Sequence, residues 1–168
     1  MKPISASALR ELIGDIEMEL HRIEAVSTGI QAVREEIDRD RDRQTFFYES
    51  LALKLHNFYT GCERIFQFII SELNGALPSG YDWHKRVLER MANPRDDRPA
   101  VLTQTTARSL QEYLGFRHVV RNLYGFELES ERLDRLAENQ NSVWQQFDRD
   151  IRNFINWLHQ LANNLETK

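Results

Sequence analysis

A cluster of polar side chains at the end of one predicted helix is the part of the sequence best suited to chemistry. Arg117, His118, Arg121, Asn122 and Tyr124 follow a largely apolar stretch. At about 100° per residue, Arg117, Arg121 and Tyr124 share one helix face, and the neighbouring face carries the histidine and the asparagine. Two guanidinium groups on one face suit a phosphate, because each offers a planar fork of donors that stays charged. The spacing is therefore suited to a phosphate-binding groove at Arg117 and Arg121, with His118 beside them.

The same cluster has a structural interpretation. The arginines at a helix end can pair with acids of a neighbouring helix, for example Glu127, or fill an oligomer contact. Spacing alone favours this commoner explanation slightly over a binding site.

Two long helices are predicted before this segment. Apolar residues recur at steps of three and four from Leu9 to Ile37, and again from Phe47 to Leu73. Ser5 or Ser7 is placed to cap the first helix, while Asn74, Gly75 and Pro78 stop the second. We expect the two helices to form an antiparallel hairpin.

Three further helices complete the predicted fold. Asp82 can cap a short helix that is closed by Asn93 and Pro94, and residues 93–103 have the Pro and mixed charges of a flexible surface loop. A fourth helix is predicted from about Thr105 to Tyr124, where Gly125 can adopt the left-handed conformation after its last turn. The fifth begins near Ser130.

Composition supports one all-α domain over residues 1–168. The chain is 41% hydrophobic and 29% charged, with only 7 Gly and 4 Pro. This balance is typical of long amphipathic helices, and no linker rich in Gly, Ser or Pro divides the chain.

Composition and motifs also exclude several classes of function. The apolar stretches are far shorter than a membrane span, and no signal-peptide pattern is seen, so we expect a cytoplasmic protein. Cys62 is the single cysteine, which leaves no intrachain disulfide or cysteine-based zinc site and favours a buried thiol. Neither a metal-binding spacing nor a Gly-rich phosphate loop occurs, so no metal and no cofactor are predicted. The net charge of −4 restricts any nucleic-acid contact to a local basic patch.

The segments FRHVVRNLYGFEL and YDWHKRVLERM resemble the HepT-like HEPN proteins, the ribonuclease toxins of HEPN/MNT toxin-antitoxin pairs. The resemblance implies a five-helix up-and-down HEPN bundle with long antiparallel helices, a homodimer and an RNA substrate. The family motif is Arg, four to six residues, His, one residue and Tyr. Arg117 and Tyr124 match this motif, and Asn122 occupies the position of the motif His.

The asparagine predicts weak or no cleavage. The reaction implied by the resemblance is metal-independent RNA cleavage, in which the histidine moves a proton and the arginine stabilises the phosphorane. Asparagine does not transfer protons near neutral pH, and loss of a general acid or base costs ~10² to 10⁴ in rate. Asn122 is either an introduced replacement or a natural one, or His118 takes over the role. The last is least favoured, since His118 points about 100° away from Arg117.

The resemblance also implies a partner. An MNT-type nucleotidyltransferase antitoxin silences toxins of this family by adding AMP to the motif tyrosine, which here is Tyr124. The alternative to a toxin is a non-catalytic HEPN-type module that binds RNA, a nucleotide or a protein.

Other candidate residues are assigned structural roles. His84 lacks a local partner and is interpreted as a surface or packing residue, and His21 and His56 as surface or interface residues. A set of aromatic residues near the first hairpin is expected in the core, or in a dimer interface if exposed: Phe46, Phe47, Tyr48 and Tyr59.

Overall fold

Five α-helices make up the architecture of the computed structural model, which describes residues 4–95, 98–120 and 129–167. Over these residues no β-strand occurs, so the predicted all-α bundle is confirmed. None of the helices within those ranges is long and apolar enough to cross a membrane. The helices are α1 (Ala6–Arg39), α2 (Gln44–Ile69), α3 (Trp83–Met91), α4 (Gln104–Val120) and α5 (Ser130–Glu166).

Helices α1 and α2 form the predicted antiparallel hairpin. Ser5 caps α1 by accepting a hydrogen bond from the Ala8 amide at 3.2 Å. A single exposed 3-10 turn, Arg41–Arg43, reverses the chain, as expected for a solvated charged segment. The periodic Leu and Ile side chains of α1 then pack on the apolar side chains of α2, which accounts for the hairpin's stability.

The end of α2 shows why the chain turns where it does. A π-helical turn, Ile70–Asn74, follows α2 and ends at Gly75, whose φ of +88° is in the region that favours glycine. The predicted stop at Asn74 and Gly75 is therefore confirmed.

The described part of residues 93–103 is a loop, as predicted, but the expectation that this loop lies wholly at the surface is wrong. Arg98 is only 1% exposed, and its guanidinium donates hydrogen bonds to Asn74 Oδ1 and to the carbonyl oxygens of Arg90 and Pro99. The next apolar pair, Val101 and Leu102, is buried in the core. Because a buried arginine needs these acceptors, its hydrogen bonds fix the segment between the end of α2 and α3.

Helix α4 is held at its start by a contact with α5. The hydroxyl of Thr103 caps the helix by accepting from the Thr106 amide at 3.2 Å. Asp150 of α5 accepts from both the amide and the hydroxyl of Thr103, at 2.8 and 3.0 Å. Helix α4 is described to Val120, so its predicted end at Tyr124 and Gly125 lies outside the described residues. These contacts set the position of the α4 residues that form the site.

Candidate functional site

Arg117 lies inside the bundle and not on an open groove. Its side chain is 11% exposed, and its Nη2 atom is 3.3 Å from Oε2 of Glu63 on α2. The predicted cationic groove therefore needs correction at this residue, because its charge is paired with an internal carboxylate. The structural interpretation of Arg117 had named Glu127, which is outside the described residues, whereas the acid found beside it is Glu63.

Glu63 binds a second partner, His84 of α3. Oε1 of Glu63 is 2.5 Å from His84 Nδ1, and both side chains are almost fully buried. Glu63 follows Cys62 on the side of α2 that faces the core, so its carboxylate enters the protein interior together with the apolar seam. One carboxylate thus links α2 to α3 and α4.

The hydrogen bond with Glu63 determines the tautomer of His84. Burial is the main cause that lowers the pKa of His84, with Arg117 and His118 adding to it, while the contact with Glu63 opposes the shift. A neutral imidazole beside a carboxylate carries its proton on Nδ1 and donates it to that carboxylate. Nε2 of His84 is then the nitrogen with the free electron pair.

The guanidinium of Arg117 lies over the ring of His84. Its Nη1 atom is 3.1 Å from Nδ1 and 3.0 Å from Nε2 of the imidazole. If Nη1 lay in the ring plane at these distances from both nitrogens, it would overlap ring atoms such as Cε1. Nη1 therefore lies above the face of the imidazole ring. The electron pair of Nε2, which points along the ring plane, is therefore not used by Arg117.

A pocket of about 530 Å³ opens between the start of α3 and the second half of α4. His84 forms part of its wall, and the exposed His118 lies nearby, with the two imidazole centroids 5.6 Å apart. The residues that line the pocket are Tyr81, Asp82, His84, Lys85, Gln111, Leu114, Gly115 and His118. Arg117 is not among them and contacts the pocket residues through His84.

A second hollow adjoins this pocket across α4. It has a volume of about 460 Å³, and Arg132 and Arg135 of α5 contribute to its lining. Both hollows include Gln111 and Gly115, and a Cβ atom at Gly115 would meet no heavy atom of the described residues within 4 Å. The two hollows therefore border the same stretch of α4, and no side chain at Gly115 stands between them there.

The remaining predicted site residues are only partly placed. Arg121, Asn122 and Tyr124 lie outside the described residues, so the structure tests neither the second guanidinium nor the motif position.

Across residues 4–95, 98–120 and 129–167, no three His, Cys, Asp or Glu side chains are grouped as metal ligands. Cys62 is fully buried, and burial raises the pKa of its thiol, so the predicted buried thiol is confirmed.

Sequence reasoning missed Glu63 and misjudged the surroundings of His84. The partner of His84 is 21 positions away along the chain, so no local spacing could reveal it. One signal was present for Glu63: an acidic residue directly beside the apolar seam of a helix is expected to find a buried basic partner.

The site lies within a region that matches a known family. A family model described as HepT-like protein matches residues 50–158, which include Glu63, His84 and Arg117. The chain therefore belongs to the HepT-like family, as the resemblance predicted. Searches among curated proteins and among solved structures give no match.

Proposed function

We propose that this HepT-like protein is an RNA-acting toxin of the HEPN type, a metal-independent endoribonuclease whose cleavage at the motif position is impaired by Asn122. The observation that carries the proposal is the pocket that contains His84 and His118, with Arg117 packed on the ring of His84. Such a pocket can hold a phosphodiester, because the imidazole of His118 and the ammonium group of Lys85, both of which can donate hydrogen bonds, are part of its wall.

The two adjoining hollows at Gly115 support a chain-like ligand. RNA in the pocket would continue across α4 towards Arg132 and Arg135, whose guanidinium groups can contact successive phosphates. Tyr81 is 98% exposed at the opposite end, where its ring can stack on a base. A small ligand would not extend from one hollow to the other.

The path through Gly115 gives a direct binding test. Replacing Gly115 by Trp should fill the space between the two hollows and weaken binding of a single-stranded RNA at least tenfold, measured by fluorescence anisotropy. Gly115→Ala is the matched control, since a methyl group fits the open space and should leave the affinity unchanged. Equal affinity of both variants and the original chain would contradict RNA binding along this path.

A gain-of-function test addresses the motif position. Asn122→His should produce a growth-inhibiting ribonuclease with cleavage raised by ~10² or more, because the proton-transfer group is restored. In that background Arg117→Ala should abolish the activity. No gain from Asn122→His would favour the alternative of a non-catalytic RNA, nucleotide or protein-binding module. Activity that persists without Arg117 would show that the site assignment is wrong.

The partners belong to the same proposal. Phe46 and Leu53, seven residues apart on α2, are 71% and 59% exposed, and this apolar face supports a homodimer. The double variant Phe46→Ser/Leu53→Ser should be monomeric in sedimentation equilibrium, whereas Met18→Ser on α1 should not change the association state.

Tyr124 is proposed as the AMP acceptor of an MNT-type antitoxin, which intact-mass measurement of the co-expressed pair would test.

A further inference from the structure

Two histidines from different helices meet at the pocket described above. His84 comes from the first turn of α3 and His118 from the last described turn of α4, and their rings make an edge-to-face contact at 5.6 Å between centroids. Both line the same space. Imidazole is the side chain that most readily takes up and releases protons near neutral pH, so two of them at one phosphodiester site provide both directions of proton transfer.

The two rings differ in a way that suits opposite roles. His84 is buried and held by Glu63, with its Nδ1 proton donated to the carboxylate and the Nε2 electron pair left in the ring plane. It has the form of an oriented general base, like an imidazole fixed by a carboxylate in a hydrolase. His118 is exposed to water, from which it can regain a proton after each turnover.

We infer that His84 and His118 form a general base and general acid pair that cleaves RNA in this chain, independently of position 122. This inference rests on the proposed RNA binding. Nε2 of His84 takes the proton of the ribose 2′-hydroxyl, and the 2′ oxygen attacks phosphorus. The bond between phosphorus and the 5′ oxygen breaks, and protonated His118 gives its proton to that oxygen. The products are a 2′,3′-cyclic phosphate and a 5′-hydroxyl end.

Arg117 has a positioning role in this scheme. Its guanidinium packs on the face of His84 and pairs with Glu63, so it fixes the ring without occupying the Nε2 electron pair. Burial is the main cause that lowers the pKa of His84, and the positive charge of Arg117 adds to it, so both favour the neutral imidazole that a general base requires.

The test uses the full chain with Asn122 retained and a fluorescent single-stranded RNA in EDTA. A matched RNA with a 2′-deoxy group at the cleaved position reports binding without cleavage. We expect slow cleavage of the RNA, cyclic phosphate ends and an intact deoxy substrate. His84→Gln and His118→Ala should each lower the rate ~10²-fold or more with the affinity for the deoxy RNA within about threefold. His159→Gln, an exposed histidine of α5, is the control and should cleave normally.

Chemical rescue separates proton transfer from folding. Added imidazole should restore a measurable part of the cleavage by His118→Ala, because a free acid can enter the exposed position, and it should not accelerate the original chain. A thermal unfolding scan of His84→Gln identifies any loss of fold in that variant, and the His118→Ala result then decides alone. Binding of the deoxy RNA without cleavage of the RNA, or cleavage unaffected by His118→Ala, would overturn the pair while leaving RNA binding intact. Absence of RNA binding would overturn the proposed function itself.

Discussion

Two buried glutamates of the first hairpin have very different partners. Glu19 on α1 and Glu63 on α2 are each 2% exposed. The arginines that pair with Glu19, Arg22 and Arg64, have side chains that are 60% and 46% exposed, at 3.0 and 2.9 Å. The partners of Glu63 are 8% and 11% exposed. The cluster at Glu19 therefore opens to solvent, and the cluster at Glu63 is closed.

The cluster at Glu19 serves mainly to hold the fold. Arg64 reaches across the hairpin to Glu19 and remains hydrated, so this ion pair joins α1 and α2 with little desolvation of its arginine. Glu63, His84 and Arg117 are almost fully removed from water, and this burial has a desolvation free energy that well-packed apolar residues would avoid. A closed polar cluster beside a pocket is the arrangement expected where side chains must be held in a fixed orientation for chemistry.

The largest expected effect is the loss of Glu63. Glu63→Ala leaves Arg117 as an unpaired charge inside the bundle, so the free energy of unfolding should fall by ~3–5 kcal/mol in a urea titration. Glu49→Ala removes an exposed carboxylate from the same helix and should change it by less than ~0.5 kcal/mol. A loss below ~1 kcal/mol for Glu63→Ala would show that the cluster is open to solvent after all.

A smaller effect is expected at the open cluster. In Glu19→Ala the side chains of Arg22 and Arg64 can turn fully into water, so only their hydrogen bonds are lost, and the free energy of unfolding should fall by about 1–2 kcal/mol. The same urea titration measures both variants. Equal losses for Glu19→Ala and Glu63→Ala would remove the distinction between the two clusters.

The fold was more accessible from sequence than the site. The helices follow from local periodicity and capping, as Ser5 and Gly75 illustrate, because these signals lie within a few residues of their effect. The same reasoning failed at Arg98: a charged residue between prolines indicates a surface loop, yet this arginine is buried with acceptors that include the distant Asn74 and Arg90. Arg117 was identified by its motif, but its contacts with Glu63 and His84 are tertiary, and no spacing in the sequence encodes them.

The pH dependence of stability should also distinguish the clusters. Burial lowers the pKa of His84 in the folded protein, with Glu63 of α2 opposing and Arg117 and His118 of α4 assisting. The unfolded chain, where histidine has a pKa of about 6.5, therefore binds the proton more tightly. The contribution of His84 is constant above about pH 6.5 and is lost as the pH falls below it, by at most ~1.4 kcal/mol per pH unit.

Urea titrations between about pH 7.5 and 5 measure this contribution. His84→Gln should flatten the slope in that window, because glutamine does not titrate. Glu19→Gln should leave the slope as it is, since no histidine lies in the open cluster. An unchanged slope in His84→Gln would show that His84 does not titrate differently in the folded and unfolded states.

The smallest expected effect is a difference between the two clusters in how the cost of losing an arginine depends on salt concentration. Arg64→Ala should cost less than ~1 kcal/mol, because its side chain is about half exposed and the carboxylate of Glu19 keeps Arg22 as a partner. That cost should shrink further between low salt and 1 M NaCl, where the Debye length falls to about 3 Å. Arg117→Ala leaves Glu63 with only His84, and because little electrolyte reaches the buried pair, its larger cost should hardly change with salt. A salt dependence as strong for Arg117→Ala as for Arg64→Ala would mean that ions enter the closed cluster, and the fixed orientation of His84 would then lose its physical basis.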